Sequence, residues 1–99
     1  MRLTAEEIAA IRACTRTHFG EHAVVRLFGS RVRDDLRGGD IDLHIVAEDE
    51  ERSSWRAEAA FRRALEDLIG EQKVDVILRS PAEKRRPIDE LAVMDGIVL

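Results

Sequence analysis

The chain is organised around two short stretches, Leu27-Phe28-Gly29-Ser30 and Asp40-Ile41-Asp42-Leu43. The first ends an apolar run with two small residues, which is typical of a β-strand that leads into a tight turn. Gly29 can place backbone N–H groups near an anion, and the Ser30 hydroxyl can donate a further hydrogen bond. The second stretch carries aspartates at positions i and i+2, which share one face of a strand. Together the stretches predict a site that holds nucleotide phosphates on one side and a divalent metal on the other.

Asp40 and Asp42 begin an alternating run that predicts a half-buried strand with an acidic outer face. We expect His44 to share that face as a partly solvated histidine. Asp75 lies within another strand-like apolar run, where an unpaired buried carboxylate would be costly. If the two strands are neighbours, about 4.8 Å apart, Asp75 can join the same cluster. Three carboxylates suit Mg²⁺ or Mn²⁺ and can hold a pair of ions.

The aspartate pair alone has a simpler alternative explanation: acids on the exposed face of a strand are often solvated surface residues without a function. The glycine–serine turn and Asp75 are what favour a functional site over that alternative.

The rest of the chain predicts helices and strands that alternate along one domain, residues 1–99. Thr4 and Glu7 have the spacing of a capping box, and Gly20 and Gly70 are placed to end two helices. The Ser80-Pro81-Ala82-Glu83 stretch also has the pattern of a helix start. The fold class is therefore α/β (α+β), with a small mixed β-sheet and helices packed on it. Helices are predicted over residues 4–19, 55–69 and 87–95, and strands over 23–28, 40–46, 73–78 and 97–99.

Composition limits the function classes. The net charge of −4 argues against an extended nucleic-acid surface, although a few arginines and a metal can still bind one triphosphate. Cys14 is the only cysteine, so no internal disulfide can form, and a reducing cytoplasm is the expected location. No apolar run approaches the ~20 residues that span a bilayer, and the first residues have no signal-peptide character.

The Phe28-Gly29-Ser30-Arg31 turn, the nine-residue spacer and the Asp40/Asp42 strand resemble the signature of the polymerase-β-type nucleotidyltransferase superfamily. The small size is similar to its minimal nucleotidyltransferase branch, and the resemblance covers nearly the whole chain. The resemblance departs at Asp34-Asp35 and at Gly39, where many relatives have Gly and Ser respectively. An acid pair beside a triphosphate would repel the phosphates and weaken nucleotide binding.

The resemblance implies a role for each matching residue. Gly29 and Ser30 would hold the β- and γ-phosphates of ATP or another nucleoside triphosphate, and Arg31 and Arg33 could add phosphate contacts. The three aspartates would bind two Mg²⁺ ions, and Asp75 would also help to deprotonate the acceptor hydroxyl. The reaction would transfer a nucleoside monophosphate and release pyrophosphate. The residues that we expect to hold the metals are Asp40, Asp42 and Asp75.

The resemblance also suggests a partner, because the genes of that branch are typically paired with genes for small helical HEPN proteins in toxin–antitoxin modules. The chain would then be the antitoxin that modifies a HEPN-like partner with AMP. Alternative acceptors are a small molecule, such as an aminoglycoside, and an RNA end. A homodimer is another way for so small a domain to bury surface. The competing hypothesis is a binding module that keeps the fold, lacks the chemistry and neutralises its partner by contact.

Overall fold

The computed structural model describes residues 2–32 and 40–99. Apart from the helix predicted to start at Ser80, the order of the helices and strands is the predicted one, and each of their bounds lies within a residue or two of its prediction. The helices are α1 Ala5–Phe19, α2 Trp55–Ile69 and α3 Pro87–Asp95; the strands are β1 Val24–Phe28, β2 Ile41–Val46, β3 Val74–Arg79 and β4 Ile97–Val98. Short 3-10 helices cover Gly29–Val32 and Glu51–Ser53. No helix in these two ranges combines the length and the apolar character that a bilayer crossing requires.

The four strands form one mixed sheet in the order β3-β2-β1-β4. β1 is antiparallel to both of its neighbours, whereas β2 and β3 are parallel and are joined through α2. Parallel neighbours need such a crossover, and a helix is its usual form. The predicted fold class, helices packed on a small mixed sheet, is confirmed.

The main core lies between the sheet and helices α1 and α2. Side chains of Leu27, Leu43 and Ile45 leave the sheet on this face and are fully buried. The rings of Phe19 and Phe61 meet above them with their centroids 5.0 Å apart. Because successive strand residues point to opposite faces, this packing directs the alternate residues of β2 to the other side of the sheet.

The two long helices begin and end where the sequence predicted. Thr4 and Glu7 form both hydrogen bonds of a capping box at α1. Ser54 accepts a hydrogen bond from the Ala57 N–H at the start of α2. Glycines with positive φ, Gly20 and Gly70, follow the last turns of α1 and α2. Their left-handed conformations suit glycine and end the helices without steric cost.

The helix predicted to start at Ser80 is wrong. Residues 81–83 form a turn in which the Glu83 carboxylate accepts from the Ser80 N–H and the Glu83 N–H donates to the Ser80 carbonyl. A helix cannot continue from there, because Pro87 disfavours helical geometry at the residue before it. Arg86 is extended and serves as the N-cap position of α3.

Helix α3 covers the second face of the sheet, and this overturns the prediction for His44. His44 is 2% exposed, and its Nε2 lies 2.8 Å from Oδ1 of Asp89 on α3. Asp89 is equally buried and also accepts hydrogen bonds from Nε of Arg79 and from the backbone N–H of Arg86. His44 therefore joins α3 to the sheet instead of facing solvent beside the carboxylates.

Candidate functional site

Asp42 and Asp75 are direct neighbours across the parallel pair of strands. The register aligns Asp42 with Asp75 on one side and with Phe28, the last residue of β1, on the other. All three alternate with core residues, so they lie on the face that α3 partly covers. The adjacency that the sequence left conditional is therefore present, and two strands far apart in the chain bring two carboxylates together.

Asp75 is exposed, which corrects the expectation of a buried carboxylate. It lies on β3, an edge strand of the sheet, and solvent reaches its side chain. The apolar residues on either side of it, Val74 and Val76, face the core instead. Asp75 thus needs no buried partner and remains open to a ligand from solvent.

The carboxylate of Asp42 is electrostatically disfavoured in its charged form. Burial raises its pKa first, and the negative charges of Asp75 and Asp40 and a hydrogen bond with Asp75 raise it further. Lys73 is the opposing influence, since its positive charge lowers the pKa of Asp42. Like charges held this close are relieved when a cation binds between them.

Asp40 precedes β2 and pairs with Lys73, which precedes β3. The Lys73 Nζ lies 3.3 Å from Asp40 Oδ2. The Ile41 N–H donates to the Lys73 carbonyl at 3.1 Å, so the backbone is fixed next to Asp40. Lys73 was not among the predicted site residues. The signal was available, because alternation along β3 places residues 73 and 75 on the same face.

Gly29 forms the turn that was predicted to face phosphates, and its geometry requires glycine. Its φ is +76°, and an added Cβ would lie 2.2 Å from Oδ2 of Asp42. The turn therefore touches the carboxylate cluster, because the Asp42 carboxylate fills the space where any other residue at position 29 would present a side chain. The backbone of Ser30 and Arg31 continues the short 3-10 helix. Arg33 and the Asp34-Asp35 pair lie outside the described residues.

A pocket of about 540 Å³ opens beside this turn. Phe28, Gly29 and Val32 line one side, and Leu91 and Asp95 of α3 line the other. Its volume lies in the range of small-molecule sites, and its lining is mostly apolar. The pocket gives the cluster a neighbouring space for the uncharged part of a ligand.

The three aspartates have the donor chemistry for a hard divalent cation. They offer oxygen ligands and lie on one face of the sheet, and the negative charges of Asp75 and Asp40 disfavour the charged state of Asp42. Their side chains are not yet gathered around one point: in the described ranges, no group of three or more His, Cys, Asp or Glu residues is positioned to hold a metal as it stands. Asp40 is directed to Lys73 instead. The carboxylate chemistry fits Mg²⁺ or Mn²⁺, and Asp40 would have to leave that ion pair to join a shared site.

Comparison with known proteins agrees with this geometry. The family model described as a nucleotidyltransferase domain matches residues 8–94, which takes in the Gly29 turn and all three aspartates. No curated protein matches the chain. Since the match covers most of the sequence, from α1 to the end of α3, the chain belongs to the nucleotidyltransferase domain family.

Proposed function

We propose that this chain transfers AMP from ATP to an acceptor hydroxyl, with the release of pyrophosphate. Membership of the nucleotidyltransferase family supports nucleoside monophosphate transfer in general. The observation that carries the proposal for this chain is the register of Asp42 with Asp75, directly beside the Gly29 turn. A backbone turn that can bind phosphate, beside a pair of carboxylates that can hold divalent metal, suits phosphoryl-type transfer.

The site residues would bind the phosphates on one side and the metal ions on the other. The backbone at Gly29 would take the β- and γ-phosphates, with the predicted help of Ser30, Arg31 and Arg33. When bound to Asp40, Asp42 and Asp75, two Mg²⁺ ions, with Mn²⁺ as the alternative, supply the charge that offsets the attacking and leaving oxygens.

Asp75 would accept the proton of the acceptor hydroxyl. The acceptor oxygen then forms a bond to the α-phosphorus as the bond to the bridging oxygen breaks, and pyrophosphate leaves. The solvent exposure of Asp75 suits this role, because the acceptor must reach its carboxylate from outside.

The proposed acceptor is a protein partner of the HEPN type, which the chain would neutralise as its antitoxin in the cytoplasm. The surface next to the site supports a protein partner. Leu91, Met94 and Val98 are exposed apolar side chains on α3 and β4, and Leu91 also lines the pocket beside Gly29. A partner seated on these side chains would lie next to the carboxylates. Self-association through the same side chains is the competing use of this surface.

The test combines the purified chain, a candidate partner, Mg²⁺ and ATP labelled at the α-phosphate. We expect label on the partner from the wild-type chain and none from Asp42→Asn. Asp67→Asn is the matched control, because it removes a carboxylate from the exposed surface of α2. The absence of label with all four nucleoside triphosphates, while the complex still forms, would contradict the proposal. Sedimentation of the chain alone decides whether it forms a homodimer.

A binding module without chemistry is the second candidate. The ion pair between Asp40 and Lys73 favours it, since one of the three carboxylates is engaged elsewhere. This candidate expects an Asp42→Asn/Asp75→Asn variant to neutralise the partner as well as the wild-type chain does. Loss of neutralisation in that variant, with the complex intact by size-exclusion chromatography, would exclude it.

A further inference from the structure

Lys73 is built into the carboxylate cluster by its backbone. Its carbonyl accepts the Ile41 N–H, which extends the β2–β3 ladder by one residue beyond β3. This places Lys73 opposite Asp40, in the same way that Asp75 is placed opposite Asp42. These two cross-strand pairs therefore bring three carboxylates and one ammonium group to one end of the sheet face.

The ammonium group acts as the counter-charge of this cluster. A hydrogen bond with Asp40 is the main cause that raises the pKa of Lys73, followed by the charges of Asp40 and Asp75. In return, Lys73 lowers the pKa of Asp42, which the other acids raise. The attraction thus extends to all three carboxylates, although the close contact is made with Asp40 alone.

The same ammonium group can leave at little cost. The side chain of Lys73 is 73% exposed and that of Asp40 is 38% exposed, so water can replace either partner. Exposed pairs of this kind contribute little to stability, and lysine carries its charge on a flexible four-carbon chain. Charge attraction holds the Lys73 ammonium group in place, and the fold does not depend on its position.

We propose that Lys73 is a displaceable counter-cation, whose ammonium binds Asp40 until a divalent cation takes that carboxylate. This inference rests on the proposed function, because it concerns the same metal site. The ammonium and the metal compete for one oxygen ligand, and they repel each other at such short range. Lys73 therefore weakens the binding of metal to the nucleotide-free protein.

The experiment measures binding of Mn²⁺ alone to the nucleotide-free chain, by the electron paramagnetic resonance signal of unbound Mn²⁺. We expect Lys73→Met to bind Mn²⁺ about three- to fivefold more tightly than wild type, the range that the loss of an exposed ion pair allows. Lys73→Arg keeps the positive charge, so its Mn²⁺ affinity should stay within about twofold of the wild-type affinity.

Lys84 offers a matched control, since it is the only other lysine in the chain and lies in the exposed turn beyond the opposite end of β3. Lys84→Met removes the same charge from the protein without touching the cluster. If Lys84→Met tightens Mn²⁺ binding as much as Lys73→Met does, net charge is the cause and the inference is overturned.

The outcomes separate this inference from the proposed function. Mn²⁺ binding that is lost in Asp42→Asn but unchanged in Lys73→Met overturns the role of Lys73 and leaves the nucleotidyltransferase site intact. Wild-type protein that binds no Mn²⁺ with or without nucleotide, and transfers no label, overturns both. Tighter binding in Lys73→Met alone, with wild-type affinity in Lys73→Arg and Lys84→Met, supports the displaceable counter-cation.

Discussion

Gly29 and Asp42 occupy neighbouring space so closely that a Cβ at residue 29 would lie 2.2 Å from the Asp42 Oδ2 atom. The turn after β1 and the acidic strand β2 are therefore one structural unit. A ligand held by the backbone of residue 29 is automatically beside the Asp42 carboxylate.

The first prediction concerns Gly29→Ala, which should abolish nucleotidyl transfer and lower the free energy of unfolding by about 2–3 kcal/mol. The new methyl group meets Asp42, and the φ of +76° is strained for alanine. Gly70→Ala is the matched control, because φ is +83° there and nothing lies within 4 Å of the added Cβ. It should cost about 1 kcal/mol and leave activity unchanged. Equal losses in both variants would show that the contact with Asp42 is unimportant.

The second prediction separates stability from activity at Asp42. The pKa of Asp42 is raised in the folded protein. The free energy of unfolding therefore falls as pH rises from the pKa of the unfolded chain to that of the folded chain. At neutral pH Asp42 is ionised and this loss of stability is complete. Asp42→Asn removes this penalty. Without divalent metal the variant should be more stable than wild type by about 0.5–1 kcal/mol in urea denaturation, and it should transfer no label.

Adding Mg²⁺ should reverse this order of stability. The ion binds the folded wild-type chain and raises its free energy of unfolding, while Asp42→Asn gains little. Asp67→Asn should respond to Mg²⁺ as wild type does. A wild-type chain whose urea midpoint ignores millimolar Mg²⁺ would contradict metal binding at the aspartates.

The third prediction concerns the buried carboxylate of Asp89. Asp89→Ala removes the partner of His44 Nε2 and Arg79 Nε, and the other ring nitrogen of His44 already has no hydrogen-bond partner among the described residues. Unpaired polar groups are then left buried, so we expect a loss of about 3–5 kcal/mol. Glu90→Ala, which breaks an exposed ion pair with Arg85, should cost less than about 0.5 kcal/mol. Thermal denaturation of both variants measures the two losses. Similar values for the two variants would mean that Asp89 does not hold α3 to the sheet.

The fourth prediction is the pH dependence of that contribution. Burial acts to raise the pKa of Asp89, but it is outweighed by the backbone N–H of Arg86, by His44 and by Arg79, and the net pKa lies below the ordinary value of 3.8. A lowered folded pKa gives stability that is present above the unfolded pKa and is lost as pH falls through the folded one. The difference in unfolding free energy between wild type and Asp89→Asn should therefore shrink as pH falls below about 4. A difference that stays constant to about pH 2 would show that the carboxylate charge is not involved.

Much of the fold followed from local patterns. The capping box at Thr4, the glycines that end α1 and α2, and the alternation in β2 are short-range signals, and each predicted its element. The turn and the aspartates were also readable, because their chemistry is carried by residue type and spacing. The assignment of Asp40, Asp42 and Asp75 to metal binding remains a prediction.

The two errors at the site, for His44 and Asp75, share one physical cause: alternation tells which face of the sheet a side chain takes but not what covers that face. His44 was placed correctly on the face of the aspartates and wrongly in solvent, because α3 lies over that end of the strand. Asp75 was expected to be buried, and it is exposed because β3 is an edge strand. Neither the docking of α3 nor the position of β3 is encoded within the few residues that surround these side chains.

The parallel pairing of β2 with β3 would make the proposed transfer activity a measure of how far the chain has folded. Asp42 and Asp75 meet only when the crossover through α2 has returned the chain to the sheet, and a shift of β3 by one residue would turn Asp75 towards the core. The helices can form locally before this long-range contact exists. During refolding, recovered transfer activity should therefore follow the recovery of helical signal, and a chain with its helices formed but its strands out of register would be inactive.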